Sequence, residues 1–303
     1  MIDQSDFNPE WKHLLQKKSH LPTWQPTCEP PMIYQGNDNA VNSQVAFRIN
    51  AIRETFEETG VMLVAGQKQT EILEDLELSD WRSRVHDNPS EFIKMCQHFD
   101  IYPDIWSLHE WSDWLTPLHL KTKSRFDTIF FIALYDNMLS ADHSPDGDKE
   151  VSEVQCLSPS EAMDLHIQQK IWLAPPQCYE LSRLHTFQNW SELRTFSQQR
   201  SSAYGVATWF PVQAVCQDGH AALYPGDDWY PDHPDLTGSD KKQPKVIDKR
   251  QWSLQQCREQ CQHLNRMEIL GPHNSRIVCN IVDPNGHQQV SGPLITLCQK
   301  SVI

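Results

Sequence analysis

The sequence predicts an α/β fold, and three observations support this prediction. Residues 43–58 repeat apolar side chains with the period of a helix, and Gly60 follows as a C-cap. Residues 125–134, RFDTIFFIAL, form a continuous apolar run that is typical of a buried strand. Residues 206–231 and 276–290 each place turn residues between two strand-like segments, which predicts two hairpins.

Weaker patterns predict the elements between these segments. Turn residues and breaks in the apolar periodicity separate one short element from the next. The predicted elements are two helices within residues 71–99, a strand at 150–157, a helix capped by Ser158 or Ser160, a helix entered through Pro175 and Pro176, and a loop at 237–251.

Three tryptophans, Trp106, Trp111 and Trp114, lie in the segment DIWSLHEWSDWLTP. Such a set can form an aromatic pocket that stacks on a nucleotide base, or it can pack in a hydrophobic core. Because tryptophan side chains bury a large apolar area, the core is the favoured interpretation.

Length and composition indicate a soluble intracellular protein. The chain has 303 residues, of which 39% are hydrophobic and 22% are charged, and no apolar run approaches the roughly 20 residues of a membrane span. Its first residues, MIDQSDFNPEW, are acidic and polar, unlike a secretory signal or an Arg-rich transit peptide. Nothing in the sequence indicates an oligomeric state.

The net charge of −14 argues against nucleic acid as a partner, because such binding needs clustered Lys and Arg. A substrate that carries phosphate must then be received by local cations or by metal ions. We therefore expect a small-molecule substrate.

The nine cysteines are scattered and odd in number, which favours reduced thiols over a disulfide framework. Cys257, Cys261 and His263 lie close together in CREQCQH and form a weak metal-ligand pattern. Two thiols on one face of an amphipathic helix are the favoured interpretation of this pattern.

The stretch RETFEETGV, residues 53–61, concentrates charge at the end of the first predicted helix. Since an α-helix advances about 100° per residue, Glu54, Glu57 and Glu58 share one face. The apolar residues that cluster on the opposite face are Val45, Ile49, Ile52 and Phe56.

Three neighbouring carboxylates at this helix end are unfavourable without a cation. They repel one another by a few tenths of a kcal/mol per exposed pair, and the C-terminal end of the helix dipole also disfavours anions. Mg²⁺ or Mn²⁺ would offset both effects, because these ions prefer carboxylate oxygens. On spacing alone, a solvated acidic helix end is the alternative.

The same stretch matches the second half of the Nudix box, G-x5-E-x7-R-E-U-x-E-E-x-G-U, in which U is aliphatic. Residues 53–54, 57–58 and 60–61 match its fixed positions, whereas Thr55 stands where an aliphatic residue is usual. Around it occur, in order, VAFRINAIRETFEETGV, DIWSLHEWSDWLTP, RFDTIFFIAL, LSPSEA, IWLAPPQCYELSRL and LYPGDDWYP. Over most of residues 40–230 the chain resembles the coenzyme A diphosphatase Nudix hydrolases of the motif-nineteen type.

This resemblance implies a Nudix α/β/α sandwich with a mixed sheet. It implies hydrolysis of the pyrophosphate bond of coenzyme A or acyl-coenzyme A to 3′,5′-ADP and (acyl)phosphopantetheine. It also implies that Glu54, Glu57 and Glu58 ligate Mg²⁺ or Mn²⁺. Glu54 would double as the base that activates water, and Arg53 would orient the carboxylates.

In such enzymes a further acidic ligand comes from a loop outside the box. Glu150 is the first candidate in this sequence and Glu153 the second. Arg125 is a candidate for contact with substrate phosphate, with a structural ion pair to Asp127 as the alternative.

The first half of the box is not at its usual spacing, because Val45 and Asn39 occupy the positions of its glutamate and glycine. The family has a long insertion between the two halves, so we expect Asp6 in the glutamate's place and an inserted segment at about residues 7–42. The strands and the glycine-rich turn that normally precede this glutamate are then expected to be absent, which would leave the sheet N-terminally incomplete.

The resemblance implies a Nudix domain over residues 1–190 and a C-terminal extension with hairpins over residues 191–303. Family membership implies a peroxisome or a mitochondrion as the compartment. The C-terminal residues Ser301-Val302-Ile303 are a poor match to a peroxisomal tripeptide.

Two other functions stay open on the sequence. One is a Nudix hydrolase that acts on another nucleoside diphosphate derivative, because specificity lies in loops outside the box. The other is a catalytically impaired Nudix-fold binding protein, which the altered first half of the box favours.

Overall fold

The computed structural model describes seven ranges of the chain and divides it into two compact units. The described ranges are 1–18, 31–35, 41–66, 77–120, 124–135, 155–283 and 286–296. The first unit comprises 1–111, 130–156 and 201–205, and the second comprises 112–129, 157–200 and 206–303.

The described elements are helices and strands that alternate along the chain. The helices are α1 (Glu10–Gln16), α2 (Ser43–Thr59), α3 (Glu77–Asp87), α4 (Glu91–His98), α5 (Pro159–Ile167), α6 (Pro175–Leu184), α7 (Trp190–Tyr204) and α8 (Leu254–Glu259). The strands are β1 (His109–Leu115), β2 (Asp127–Ile132), β3 (Thr208–Trp209), β4 (Val212–Cys216), β5 (His220–Leu223), β6 (Val246–Lys249), β7 (Asn265–Gly271) and β8 (Asn274–Cys279).

Helix α2 forms the centre of the first unit. Its apolar face is completely buried, as the period of the sequence predicts, and contributes Val45, Ile49, Ile52 and Phe56 to the core. Helices α1, α3 and α4 contribute to the same core, in which the rings of Trp11 and Phe92 lie 5.6 Å apart. Burial of this face stabilises α2 and fixes which way its other face points.

Both ends of α2 are capped by the residue types that the helix requires. The Asn42 side chain accepts a hydrogen bond from the Val45 N–H at 2.9 Å, which satisfies a donor that has no partner within the helix. Gly60 adopts a left-handed φ of 73° and its N–H donates to the Phe56 carbonyl. The predicted helix and its glycine C-cap are confirmed.

Several other predicted elements are confirmed. Helices α3 and α4 lie within residues 77–98, and Ser158 caps α5 through a capping box with Glu161. The Pro-Pro pair opens α6. The described residues 155–157 of the predicted strand at 150–157 are not in a strand, so that prediction is wrong where the structure describes it.

The tryptophan segment forms strand β1, with Trp111 and Trp114 buried, and Trp106 packs against the first unit's core. The core interpretation of these residues is therefore confirmed. Strand β2 matches the predicted apolar run, but most of its residues are only half-buried. Its position explains this difference, because β2 is the end strand in the order β2-β1-β3.

The second unit contains a mixed five-stranded sheet with the order β6-β4-β5-β7-β8. Strands β4 and β5 form the first predicted hairpin, in which Val212 pairs with Leu223. The second predicted hairpin is wrong, because β8 pairs with β7, which precedes it. Strands β7 and β8 are joined by a short turn at Pro272 and His273. The prediction placed the hairpin turn at DPNGH, residues 283–287, because this sequence is more typical of a turn.

The predicted loop at 237–251 is also wrong in part. Residues 246–249 form β6, which pairs in parallel with β4. Strand β6 was not predicted because half of its residues are polar. An end strand with one partner needs few apolar side chains. Helices and mixed sheets together confirm the predicted α/β class, and no helix in the described ranges is both long and apolar enough to cross a membrane.

Truncation of Phe56, a buried side chain of α2, tests the core of the first unit. Phe56 is fully buried, so we expect Phe56→Ala to lower the free energy of unfolding by about 3–5 kcal/mol. Phe126 is 52% exposed, and Phe126→Ala is expected to change it by less than about 0.5 kcal/mol. Urea unfolding followed by circular dichroism measures both values, and equal losses would contradict this description of the core.

Candidate metal site

Helix α2 ends in three carboxylates that lie on adjacent turns. Glu54 is 28% exposed, Glu57 is almost completely buried, and Glu58 is exposed. Their environments therefore differ although their spacing places them on one face. The acidic face is not a uniformly solvated surface.

The Arg53 side chain at this end of the helix is almost completely buried, with 1% of it exposed. Its Nε and Nη2 donate to the two carboxylate oxygens of Asp6, both at 3.1 Å. Its Nη1 donates to Glu57 Oε1 at 2.5 Å. A planar guanidinium suits this role, because it can bond one carboxylate with two nitrogens and still reach a second.

Further contacts fix the orientation of Arg53. Its Nη2 donates to Asn50 Oδ1 at 2.9 Å and to the Met1 carbonyl at 3.1 Å, and it lies 3.0 Å from Glu54 Oε1. The same Glu54 oxygen accepts a bond from the Met1 ammonium at 2.5 Å. Arg53 thus ties the start of the chain to α2 and sets the positions of Glu54 and Glu57.

A second arginine compensates the C-terminal end of the α2 dipole. Arg82 on α3 donates from Nε to the Glu57 carbonyl and from Nη2 to the Glu58 carbonyl, each at 2.8 Å. These bonds satisfy carbonyls that have no partner within the helix and bring a positive charge to its negative end. His86, also on α3, places Nδ1 4.0 Å from Glu57 Oε2.

The carboxyl groups around Arg53 carry more negative charge than it neutralises. Burial raises the pKa of Asp6 and of Glu57 above their ordinary values, although the bonds from Arg53 act in the opposite direction. Burial also disfavours the charged guanidinium, but its bonds to Asp6 and Glu57 outweigh this effect and raise the pKa of Arg53. Burial therefore determines the direction for the pKa of Asp6 and of Glu57, whereas the two carboxylates determine it for the pKa of Arg53.

The chemistry of this acidic end fits a divalent metal ion. Carboxylate oxygens are the donors that hard cations such as Mg²⁺ and Mn²⁺ prefer, and the local excess of negative charge is lowered when such an ion binds. Within the described ranges, however, no three His, Cys, Asp or Glu side chains are arranged closely enough to hold a metal ion. Arg53 and the Met1 ammonium lie among the carboxylates and hold Glu54 and Glu57 in the positions observed.

Three other site residues predicted from the sequence are not among the described residues at the acidic end of α2. Glu150 and Glu153 lie outside the described residues. Arg125 lies in the second unit, where its Nε donates to the Thr116 carbonyl at 2.9 Å and no ion pair to Asp127 is formed. Its Nη2 is buried without a hydrogen-bond partner among the described residues.

Asp6, which the sequence places at the position of the box's first glutamate, forms the bidentate pair with Arg53. Sequence reasoning missed Asn50 and Arg82. A spacing of three residues on a helix brings Asn50 to the same face as Arg53, so this contact could have been found. The Arg82 contact depends on how α3 packs against α2, and no local pattern predicts it.

The cysteine pattern CREQCQH does not form a metal site. Cys257 and Cys261 are buried at one end of α8, and Cys261 Sγ accepts a bond from Arg266 Nη2 at 3.1 Å. His263 pairs with Asp228 instead. All seven cysteines that the structure describes are free thiols, in agreement with the predicted reduced state.

Profiles of known protein families match both parts of the chain. The NUDT19 Nudix domain matches residues 1–184, which include α2 and its acidic end. The chain belongs to the NUDT19 family of Nudix hydrolases. The NUDT19 C-terminal domain matches residues 213–280, which contain the five-stranded sheet. These matches confirm the resemblance noted in the sequence, and Nudix hydrolases generally act with divalent metal ions.

Curated relatives within the NUDT19 family are similar over most of the chain. The acyl-coenzyme A diphosphatase NUDT19 of Xenopus laevis is 40% identical over 258 residues, which cover 78% of this chain and 67% of that protein. The protein of the same name from Gallus gallus is 34% identical and covers 93% of this chain and 79% of its own length. The Homo sapiens protein is 37% identical and covers 70% and 59%. No solved structure matches the chain.

Substitution of Arg53 tests whether its guanidinium holds the acidic end together. Arg53→Met leaves two buried carboxylates without a cation, so we expect it to lower the free energy of unfolding by about 3–5 kcal/mol. Arg53→Lys should recover only part of this loss, because an ammonium cannot form the two-nitrogen pair with Asp6.

Arg84→Met is the matched control in the same unit. Arg84 is 51% exposed and pairs with Glu91, so its removal should cost about 1 kcal/mol or less. Chemical denaturation measures all three variants. Equal losses for Arg53→Met and Arg84→Met would show that Arg53 has no special structural role.

Proposed function

We propose that the chain is a divalent-metal-dependent diphosphatase that hydrolyses coenzyme A or acyl-coenzyme A to 3′,5′-ADP and (acyl)phosphopantetheine. The observation that carries this proposal is the acidic end of α2, where Arg53 is buried among carboxylates in excess of its own charge. The names of the NUDT19 relatives support the substrate class.

Glu54, Glu57 and Glu58 are the residues that would hold Mg²⁺ or Mn²⁺. A bound ion of this kind neutralises diphosphate oxygens and lowers the pKa of a coordinated water. Arg53 fixes the Glu57 carboxylate, Arg53 and the Met1 ammonium contact the partly exposed Glu54, and Glu58 is exposed to solvent. Glu150, or Glu153 in second place, is the proposed additional ligand.

The residues around these ligands position them rather than react. Arg53 fixes the Glu57 carboxylate, and Arg82 supports the backbone that carries Glu57 and Glu58. Glu54 is the proposed base that accepts a proton from the attacking water, because it combines partial exposure with a position on the same face. The water oxygen forms a bond to phosphorus while the bond from phosphorus to the bridging oxygen breaks.

The compartment and a role for Arg125 belong to the same proposal. The resemblance to this group of diphosphatases supports a peroxisome or a mitochondrion. Arg125 is proposed to contact a phosphate of the substrate, since its Nη2 has no hydrogen-bond partner among the described residues.

Product analysis with an exposed-site variant tests the proposed reaction. We expect the chain to convert decanoyl-coenzyme A to 3′,5′-ADP in the presence of Mg²⁺ or Mn²⁺, as measured by mass spectrometry. Glu58→Gln should lower kcat by at least about tenfold to a hundredfold, because it removes a charged metal ligand. Glu58 is exposed, so this variant should remain folded.

Glu192→Gln is the control, because Glu192 is an exposed helical carboxylate outside the acidic end of α2. It should leave kcat unchanged. Cleavage of other nucleoside diphosphate derivatives without cleavage of coenzyme A esters would assign a different substrate. No cleavage of any diphosphate with either metal would favour a Nudix-fold binding protein.

A further inference from the structure

The second unit contains a pocket of about 440 Å³ that the proposed reaction does not use. We call it the Trp172 pocket. Its volume lies within the range of about 300–1,000 Å³ that small-molecule sites occupy. Its floor is the five-stranded sheet, and its rim is the connection between α5 and α6 at residues 172–175.

The strand register explains the floor of the Trp172 pocket. His220 on β5 pairs with Ile269 on β7, which in turn pairs with Ser275 on β8. Directly paired residues point to the same side of a sheet, so these three side chains form one row across three strands. Met267 lies two residues from Ile269 and continues the same face.

The rim is held in place by a buried histidine. The Leu173 N–H donates to His166 Nδ1 at 3.0 Å, so the proton of the neutral ring lies on Nε2. Burial, together with the nearby His273, lowers the pKa of His166 and keeps the ring neutral. The rim is thus anchored to α5 by a defined hydrogen bond, which indicates a pre-formed pocket.

The lining selects an apolar ligand with a single polar end. Among the described residues, no Asp, Glu, Lys or Arg lines the Trp172 pocket, so neither Lys nor Arg is present there to pair with a diphosphate or a nucleotide phosphate. Ile269 and Met267 present an apolar floor, and Trp172 is 61% exposed at the rim. A large exposed indole beside an apolar floor is a feature of ligand-binding surfaces.

The polar groups of the lining define the other end of the ligand. The Ser275 hydroxyl is buried and has no hydrogen-bond partner among the described residues. A buried hydroxyl without a partner costs free energy, and a ligand oxygen that accepts its proton would remove this cost. His220, at the opposite end of the same row, is the second group able to donate to a ligand oxygen.

We propose that the Trp172 pocket binds the acyl chain of an acyl thioester, with the chain on Ile269 and Met267 and the Ser275 hydroxyl donating to the carbonyl oxygen. The choice of a thioester rather than a free acid as the source of the chain rests on the proposed function. Binding itself requires neither the metal ion nor turnover.

Calorimetric titration of the whole chain with S-decanoyl pantetheine, without metal, tests this proposal. We expect one ligand to bind, with Trp172→Ala weakening the affinity about tenfold because an exposed aromatic contact is lost. Trp190→Ala is the matched control, since Trp190 is an exposed tryptophan of the same unit outside the pocket, and its affinity should equal that of the unsubstituted chain.

A filling variant tests the pocket independently. A Cβ at Gly271, which lines the pocket, would come no closer than 3.9 Å to another side chain, so Gly271→Leu should fold and block binding. Melting temperatures confirm that each variant is folded.

Three outcomes overturn the proposal. One is the absence of any binding heat, and another is binding that survives both Trp172→Ala and Gly271→Leu. Titration with sodium decanoate distinguishes a free fatty acid from an acyl thioester as the source of the acyl chain. The third outcome is therefore binding of decanoate without binding of the thioester. Because the titration needs no hydrolysis, failure of the diphosphatase assay leaves its result unaffected.

Discussion

A buried guanidinium shared between carboxylates from distant parts of the chain organises the first unit. Arg53 bonds Asp6, which lies 47 positions earlier in the sequence, and Glu57, which lies one turn later on α2. Burial of three charged groups is favourable only when their bonds are well aligned, and the guanidinium supplies this alignment with several nitrogens. The positions of the N-terminal segment and of the Glu57 carboxylate therefore depend on one side chain.

The same arrangement explains why this helix end suits a cation. Arg53 alone cannot balance the two carboxylates of Asp6 and Glu57, and their burial makes this imbalance costly. Glu54 pairs with the Met1 ammonium. Arg82 compensates the helix dipole through hydrogen bonds to the backbone carbonyls of Glu57 and Glu58. The acidic end of α2 thus combines the almost completely buried Glu57 carboxylate with the more exposed Glu54 and Glu58, the three residues of the proposed metal site.

Local sequence predicted much of this, because the relevant signals are short in range. The period of α2, its Gly60 cap and the serine cap of α5 depend on neighbouring residues. The first two were predicted as observed, and Ser158 is one of the two serines predicted to cap α5. The β7–β8 pairing and strand β6 were missed, because turn and strand propensities compete there with tertiary pairing. Arg82 was missed for the same reason, since its role is created by the packing of α3 on α2.

In the second unit, the floor of the Trp172 pocket depends on the register of three strands. His220 lies 49 positions before Ile269 in the sequence, yet the pairing of three strands places it in one row with Ile269 and Ser275. No sequence pattern would group them. The strand-rich part of the chain, which matches the NUDT19 C-terminal domain, thereby acquires a pocket whose chemistry differs completely from that of the acidic helix.

The most direct test of the central claim is the binding of Mn²⁺ followed by electron paramagnetic resonance, in which bound ion loses the sharp spectrum of the aqueous ion. The unsubstituted chain should bind Mn²⁺ in competition with Mg²⁺, and the double variant Glu54→Gln/Glu58→Gln should bind it much more weakly. Equal uptake of Mn²⁺ by the two proteins would contradict a metal site at the end of α2.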